Sequence, residues 1–357
     1  MINRRPAKRF LITGGAGFIG SAVARHLIAR TQHDVLVVDK LTYAGNLDSL
    51  SSVAKSPRYR FERVDICDAA PVSRLFETFK PDVVMHLAAE THVDRSIEQP
   101  NNFVETNIRG TFVLLETARD YYKACSQIDR ERFCFHHVST DEVFGSIEHP
   151  RCHTEQSPYR PNSPYAASKA ASDHLALAWH RTFGLPVLVS NCSNNYGPYQ
   201  FPEKLIPLTI LNCLQRTKLT IYGDGSNVRD WLYVNDHVEA LLLIAERGVL
   251  GTSYAIGGDK NWTNIELVKT ICALMDELAP AAPATKHGEL IEFVTDRPGH
   301  DKRHALAGGR MARELGWKPR TTLRYGLRKT VEWYITNRDW WERIRIPDLR
   351  VDPSHAS

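Results

Sequence analysis

The chain has 357 residues, 43% of them hydrophobic and 24% charged, the composition of an ordinary globular enzyme and a length that predicts two lobes rather than one core. A formal net charge of +4 is too small to point to nucleic acid, and no apolar run reaches the roughly eighteen residues that would span a bilayer. The seven cysteines are scattered without a C-x-x-C pair and the basic start MINRRPAKRF lacks a signal peptide's apolar core, so a reducing cytoplasm is expected, with neither a disulfide framework nor a metal site.

In the first half, short apolar runs alternate with helical stretches. Candidate strands are Arg9–Thr13, Val35–Asp39, Arg60–Val64, Val83–Ala88, Phe133–Ser139 and Pro186–Asn191. This rhythm predicts βαβ units and an α/β fold with a doubly wound parallel sheet of the Rossmann type. The first strand runs into Gly14-Gly15-Ala16-Gly17-Phe18-Ile19-Gly20 and then a helix from Ser21. Such a turn lets backbone N–H groups approach a pyrophosphate at the helix's positive end. The next strand ends in Asp39, about twenty residues on, where an acid binds ribose hydroxyls and repels a 2′-phosphate; NAD is therefore expected over NADP. Asp65 and Ile66 follow the third strand; the residues alone leave open whether Asp65 meets an adenine edge or caps a helix. Leu87-Ala88-Ala89 closes the fourth strand with small residues that allow a close cofactor approach.

Asn101–Ala124 and Pro164–Phe183 read as long helices, the second opened by Asn-Ser-Pro. Between them, Ser139-Thr140-Asp141-Glu142-Val143 puts two acids at a strand's carboxyl end, which suits either a capped loop or an acid/base pair. In the second helix, Tyr165 and Lys169 stand four apart and share a face. A neighbouring ammonium and a positive nicotinamide ring both favour phenolate, making Tyr165 competent to take a hydroxyl proton. Beyond residue 190 come Asn-, Gly- and Pro-rich loops and shorter helices, a smaller mixed α/β lobe over the sheet's carboxyl edge. Ser253–Ile256 is expected to return to the first lobe. The expected division is 1–190 plus about 235–260 for the dinucleotide, and about 191–234 with 261–357 for substrate.

With these motifs the chain resembles the extended short-chain dehydrogenase/reductase superfamily, and within it the dTDP-glucose 4,6-dehydratase family. The resemblance covers most of residues 9–303 and includes HLAAETHVDRSI (86–97), TNIRGT (106–111), STDEVFG (139–145), SNNYGPYQFPEKLIPL (193–208), GDGSNVRDWLYVNDH (223–237) and DRPGHDKR (296–303). The Thr-Asp-Glu triplet separates it from sugar-nucleotide 4-epimerases, which look alike elsewhere.

The resemblance implies C4 oxidation of dTDP-glucose by Tyr165 and Lys169 with Thr140 on the substrate hydroxyl, C5 deprotonation by Glu142, O6 protonation by Asp141, and reduction at C6. It implies NAD contacts from Gly14, Gly17, Phe18, Ile19, Gly20, Asp39, Lys40, Leu41, Thr42, Asp65, Ile66, Leu87, Ala88, Ala89, Glu90, Thr91, Thr106, Tyr165, Lys169 and Asn195. Nucleotide-sugar contacts are implied for Thr91, Thr140, Asn194, Lys204, Leu205, Arg229, Asn264, Asp296, Arg297, Pro298, Gly299 and His300. Arg229 and Arg297 suit a diphosphate, because guanidinium forks match phosphate oxygens. A homodimer through the helices at 101–124 and 164–183 is also implied.

Three residues depart from the family pattern: Thr91 stands where Ser is commoner, and Phe144 and His304 stand where Tyr is expected. Neither of the last two is expected to touch the catalytic set. Trp340 and Trp341 are expected in a C-terminal core helix. The rival readings are another sugar-nucleotide enzyme (a 4-epimerase, a decarboxylase, or a dehydratase for a UDP or GDP sugar) and a non-catalytic dinucleotide sensor.

Overall fold

The structure, a computed structural model, describes residues 7–258, 260–280 and 285–344. Apolar runs such as Val35-Leu36-Val37-Val38 are buried on both faces, as strands of a covered parallel sheet must be. The first-half strands are β1 (Arg9–Thr13), β2 (Asp34–Asp39), β3 (Tyr59–Arg63), β4 (Val83–His86), β5 (Cys134–Thr140) and β6 (Val187–Cys192). Helices α1 (Phe18–Arg30), α2 (Ala69–Phe79), α3 (Val93–Glu98), α4 (Pro100–Phe103), α5 (Thr111–Ala124), α6 (Gln127–Arg132) and α7 (Pro164–Phe183) lie among them.

The second half supplies β7 (Asn194–Tyr196), β8 (Leu219–Tyr222), β9 (Val228–Tyr233), β10 (Ser253–Ile256), β11 (Asn261–Thr263) and β12 (Ile291–Val294). Its helices are α8 (Leu205–Gln215), α9 (Val234–Arg247), α10 (Asn264–Leu278), α11 (Gly309–Leu315), α12 (Leu323–Thr336) and α13 (Arg338–Glu342).

Seven parallel strands form the main sheet in the order β10-β6-β5-β4-β1-β2-β3. The chain reverses direction across the sheet between β1 and β4, so the crevice opens at their carboxyl ends. Ser253–Ile256 does return to this sheet, beside β6. A three-stranded sheet (β11-β9-β7) and a two-stranded one (β12-β8) surround a separate apolar core that includes Ile210, Leu267, Ile271 and Tyr334. Trp340 and Trp341 are buried in that core, as expected; the tail beyond residue 344 lies outside the described residues.

Two elements differ from the sequence reading. The fourth strand ends at His86 rather than Ala88, because the chain leaves the sheet to pass over Gly14. The expected helix 101–124 is three pieces: α4, a π-helical stretch at Val104–Gly110, and α5. Buried Asn107, within the π stretch, faces two partners: its side chain takes the Glu90 N–H at 2.8 Å and donates to the Ser168 hydroxyl at 2.8 Å. Helical periodicity alone cannot register such an insertion.

Candidate active site

The glycine turn is dictated by space. Gly14 has φ +66°, and a Cβ there would sit 2.6 Å from the Ala88 nitrogen; one on Gly20 would sit 2.3 Å from the Gly14 carbonyl oxygen. Gly17 begins α1 with no side-chain cap, so the first N–H groups of the helix are left for an anion. Asp39, at the end of β2, accepts from the Ala16 N–H (3.0 Å) and the Leu41 N–H (2.8 Å), which fixes the turn to the strand end. Burial raises its carboxyl above the ordinary range. Lys40 reaches the Thr106 hydroxyl (3.2 Å) and Asp65 (3.4 Å). Asp65 itself accepts from the Cys67 N–H, and the residue at the cap of α2 is Asp68.

The chemical groups stand on β5 and α7. Thr140 ends β5 and opens a 3-10 turn, Asp141–Phe144; its hydroxyl accepts from the Glu142 N–H and lies 3.4 Å from Asp141 Oδ1. Asp141 is 2% exposed, and burial pushes its carboxyl up from 3.8 to about 6. Ser163 caps α7 and Pro164 occupies its first turn, so Tyr165 and Lys169 emerge one turn apart. Lys169 donates to the Val138 carbonyl at 2.9 Å.

The protein's own groups do not favour phenolate at Tyr165: burial, and then Glu142, Cys192 and Asp141, hold its hydroxyl well above its ordinary value, against a lowering hydrogen bond with Thr140.

A single cavity of about 310 Å³ collects most of the anticipated residues. Its wall runs from Gly14, Gly17, Phe18, Ile19 and Gly20 through Asp39, Lys40, Thr42, Ile66, Leu87 to Thr91 and Thr106. It continues over Thr140, Asp141, Glu142, Tyr165 and Lys169 to Asn194, Asn195 and Lys204. Leu41, Asp65, Leu205, Arg229, Asn264 and the loop 296–300 are not part of this wall. Arg229 is buried, donating to the Val228 and Asp301 carbonyls, and its strongest charge neighbours are Glu142 and Asp141. Arg297 pairs with Asp94 of α3 at 2.9 Å. Gly299 has φ +65°, while Asp296 accepts from the Arg297 N–H and contacts His300 at 2.6 Å. The Asn264 N–H donates to Asn227 O at the start of α10.

The wall also contains Ser193, Gln200, Phe201 and Glu203, which were not anticipated. All four lie inside the motif SNNYGPYQFPEKLIPL, so the signal was present but only Asn194, Asn195, Lys204 and Leu205 were drawn from it. Asn107 lay in TNIRGT and was likewise passed over.

The two aromatic-position departures lie closer to the chemistry than expected. Phe144 is in the same turn as Asp141 and Glu142, stacked on His153. His304 is buried, 3.2 Å from Asp301, and after burial it is the strongest charge influence on Asp141.

The family model described as GDP-mannose 4,6 dehydratase matches residues 11–330. The dTDP-glucose 4,6-dehydratase of Neisseria meningitidis serogroup B is 57% identical over 348 residues, 97% of this chain and 98% of that protein. The chain belongs to the dTDP-glucose 4,6-dehydratase family. Solved structures of the family agree: the Streptomyces venezuelae enzyme with NAD and TYD bound superposes with TM-score 0.85 at 46% identity, covering 94% of this chain and 100% of that one. The Bacillus anthracis enzyme in complex with NAD gives TM-score 0.84 at 40% identity over 95% of this chain and 100% of its own. Among the described residues, no helix is long and apolar enough to cross a membrane.

Proposed function

We propose that the protein is an NAD-dependent hydro-lyase that converts dTDP-glucose to dTDP-4-keto-6-deoxyglucose and water. The observation that carries this is the convergence of Asp141 and Glu142 with Tyr165 and Lys169 on one cavity beside the glycine turn. NAD fits the residues present: Gly14 and Gly20 let the turn fold tightly against Ala88 and onto itself, the start of α1 is uncapped, and Asp39 closes β2. When bound, NAD supplies a positive ring charge opposite the Tyr165 phenol, the two-electron oxidation at C4 and the matching reduction at C6.

The chain's own groups then divide the proton work. With that ring charge and the Lys169 ammonium favouring the phenolate, Tyr165 takes the O4 proton, and the Thr140 hydroxyl lies on the same side. The new ketone acidifies C5, and Glu142 removes that proton. Asp141 delivers a proton to the departing O6, and its raised affinity suits an acid that must still carry a proton near neutrality. Arg229, behind both carboxylates, balances charge as Asp141 ionises. Arg297 and the loop 296–300 hold the diphosphate from the smaller lobe, which requires Arg297 to exchange Asp94 for phosphate oxygens.

The same reading assigns 1–190 and about 235–260 to the cofactor lobe, and about 191–234 with 261–357 to the nucleotide-sugar lobe. The return of β10 to the main sheet and the separate second core support it. Assembly as a homodimer through the helices at 101–124 and 164–183 is supported by exposed Val104, Phe112 and Phe183. Seven unpaired cysteines support a cytoplasmic setting. Incubation with dTDP-, UDP- and GDP-hexoses, read by mass spectrometry, tests the function: loss of one water from dTDP-glucose without net NAD consumption is expected. An isomerised but undehydrated hexose refutes it.

A further inference from the structure

One buried carboxylate on the catalytic helix is left over by this chemistry. Tyr165, Lys169 and Asp173 are spaced four apart on α7, so they share one face. Asp173 is fully buried. Its Oδ1 meets His137 Nε2 on β5 at 3.1 Å, and its Oδ2 accepts from the Tyr159 hydroxyl at 2.8 Å and the Asn191 amide at 2.9 Å. That amide also donates to the Thr140 carbonyl at 3.2 Å, so the chain of contacts ends on the residue that opens the Asp141–Glu142 turn.

Lys169 is 4% exposed. An ammonium so far from water is costly unless an opposite charge lies near it. Burial lowers the affinity of Lys169 for its proton, and Asp173 is the strongest charge opposing that fall. Burial also acts against an ionised Asp173, but hydrogen bonds with His137 and Ser139 and the Lys169 charge more than offset it and leave the carboxyl below its ordinary range. The other titratable groups facing the pair are His86 on β4, His137 on β5, Asp141 and Glu142 on the turn after β5, Cys192 on β6, Tyr159 from the preceding loop and Tyr165 on α7. The two carboxyls of the turn lie on the cavity side of Lys169. Burial makes both histidines less basic, pushes the Cys192 thiol to about 12 and raises both phenols, so with the protein's own groups alone each is neutral near pH 7. Asp173, one helical turn on, is the carboxylate that acts most strongly on the Lys169 ammonium.

We propose that Asp173 is a positioning residue for the Tyr165–Lys169 pair: its carboxylate is the counter-charge of the Lys169 ammonium, and its donors anchor the strand end that carries Thr140. The proposal rests on the dehydratase reading for the role of Lys169, but the charge pairing does not depend on turnover.

The test is the pH profile of kcat for dTDP-glucose with NAD-loaded protein. In Asp173→Asn the alkaline limb, where Lys169 gives up its proton, should move to lower pH by about one to three units. Tyr159→Phe removes a donor but keeps the charge, and should lower thermal stability while leaving the limb in place. An unmoved limb in Asp173→Asn, or an equal movement in both variants, overturns the proposal.

A thermal double-mutant cycle with Lys169→Met decides the matter should Asp173→Asn not fold or the wild type not turn over dTDP-glucose. Removing both charges should recover melting temperature lost in Asp173→Asn, whereas additive losses overturn the pairing. An inactive wild type with a positive cycle would sink the functional reading alone.

Discussion

Asp141 should make the protein less stable in return for its chemistry, and the size of that effect follows from its burial. The carboxyl is 2% exposed, and its affinity for a proton rises from 3.8 to about 6, chiefly through burial. A displacement of that size corresponds to roughly 3 kcal/mol between the protonated and ionised forms. The sign is that of a raised carboxyl: its full contribution to stability is present below pH 3.8 and is lost as pH climbs through about 6. Asp141→Asn keeps the shape and cannot titrate. Its unfolding free energy should therefore match or trail the wild type near pH 4 and overtake it by up to about 3 kcal/mol at pH 8. Arg229 keeps Glu142 as its strongest charge partner in the variant, so the exchange does not leave that guanidinium bare. Urea unfolding of both proteins at pH 4, 6 and 8, each saturated with NAD, measures the gap, and product analysis should show elimination lost. A gap that stays constant across that range, or a variant that is less stable at pH 8, refutes the reasoning.

Glu142→Gln should still oxidise C4 but stall before elimination, so incorporation of solvent deuterium at C5 disappears; wild-type turnover would reassign the C5 base. Tyr165→Phe should abolish C4 oxidation altogether while leaving nucleotide-sugar binding, by calorimetry, within about threefold of wild type. Gly14→Ala places a Cβ 2.6 Å from the Ala88 nitrogen at φ +66°, where backbone on both sides must move. It should destabilise the fold by about 1–3 kcal/mol, and the protein should purify with little NAD, measured by acid release of the nucleotide. Phe112→Asp, on the exposed face of α5, should yield monomers by light scattering.

What the sequence carries well is local. The strand at Arg9–Thr13, the helix at Pro164–Phe183 and the returning strand Ser253–Ile256 appear with the expected bounds, since each has strong periodicity and clear stop signals. Gly14, Asp39, Tyr165 and Lys169 were legible because each sits at a fixed offset from an element end. What was lost depends on partners distant along the chain. The π stretch is occupied by Asn107, whose partners Glu90 and Ser168 lie 17 and 61 residues away. The spacing shows Lys169 beside Tyr165 but not the depth of the site or the nearness of Glu142 and Asp141, which raise its hydroxyl before NAD is counted. The sequence also does not show that segment 303–305 pairs with both β9 and the loop after Phe144, which brings His304 near enough for its charge to act on Asp141.

The positions that sequence shows least share a physical character. A sequence specifies its fold where pattern, capping and burial agree, and the cavity is where they are set against each other. Asp141 keeps a charge-bearing group in a dry place, and its Oδ2, like Ser193 Oγ and Asn194 Oδ1, is buried with no protein partner. Each such atom costs stability that an apolar side chain of similar size would not. Asp173 shows the opposite arrangement beneath the cavity wall, where every oxygen of the carboxylate has a hydrogen-bond partner. On the proposed dehydratase reading, a satisfied carboxylate beneath an unsatisfied, protonatable one divides the work: Asp173 ties β5, β6 and α7 together, and Asp141 keeps its hydrogen-bonding capacity for the sugar.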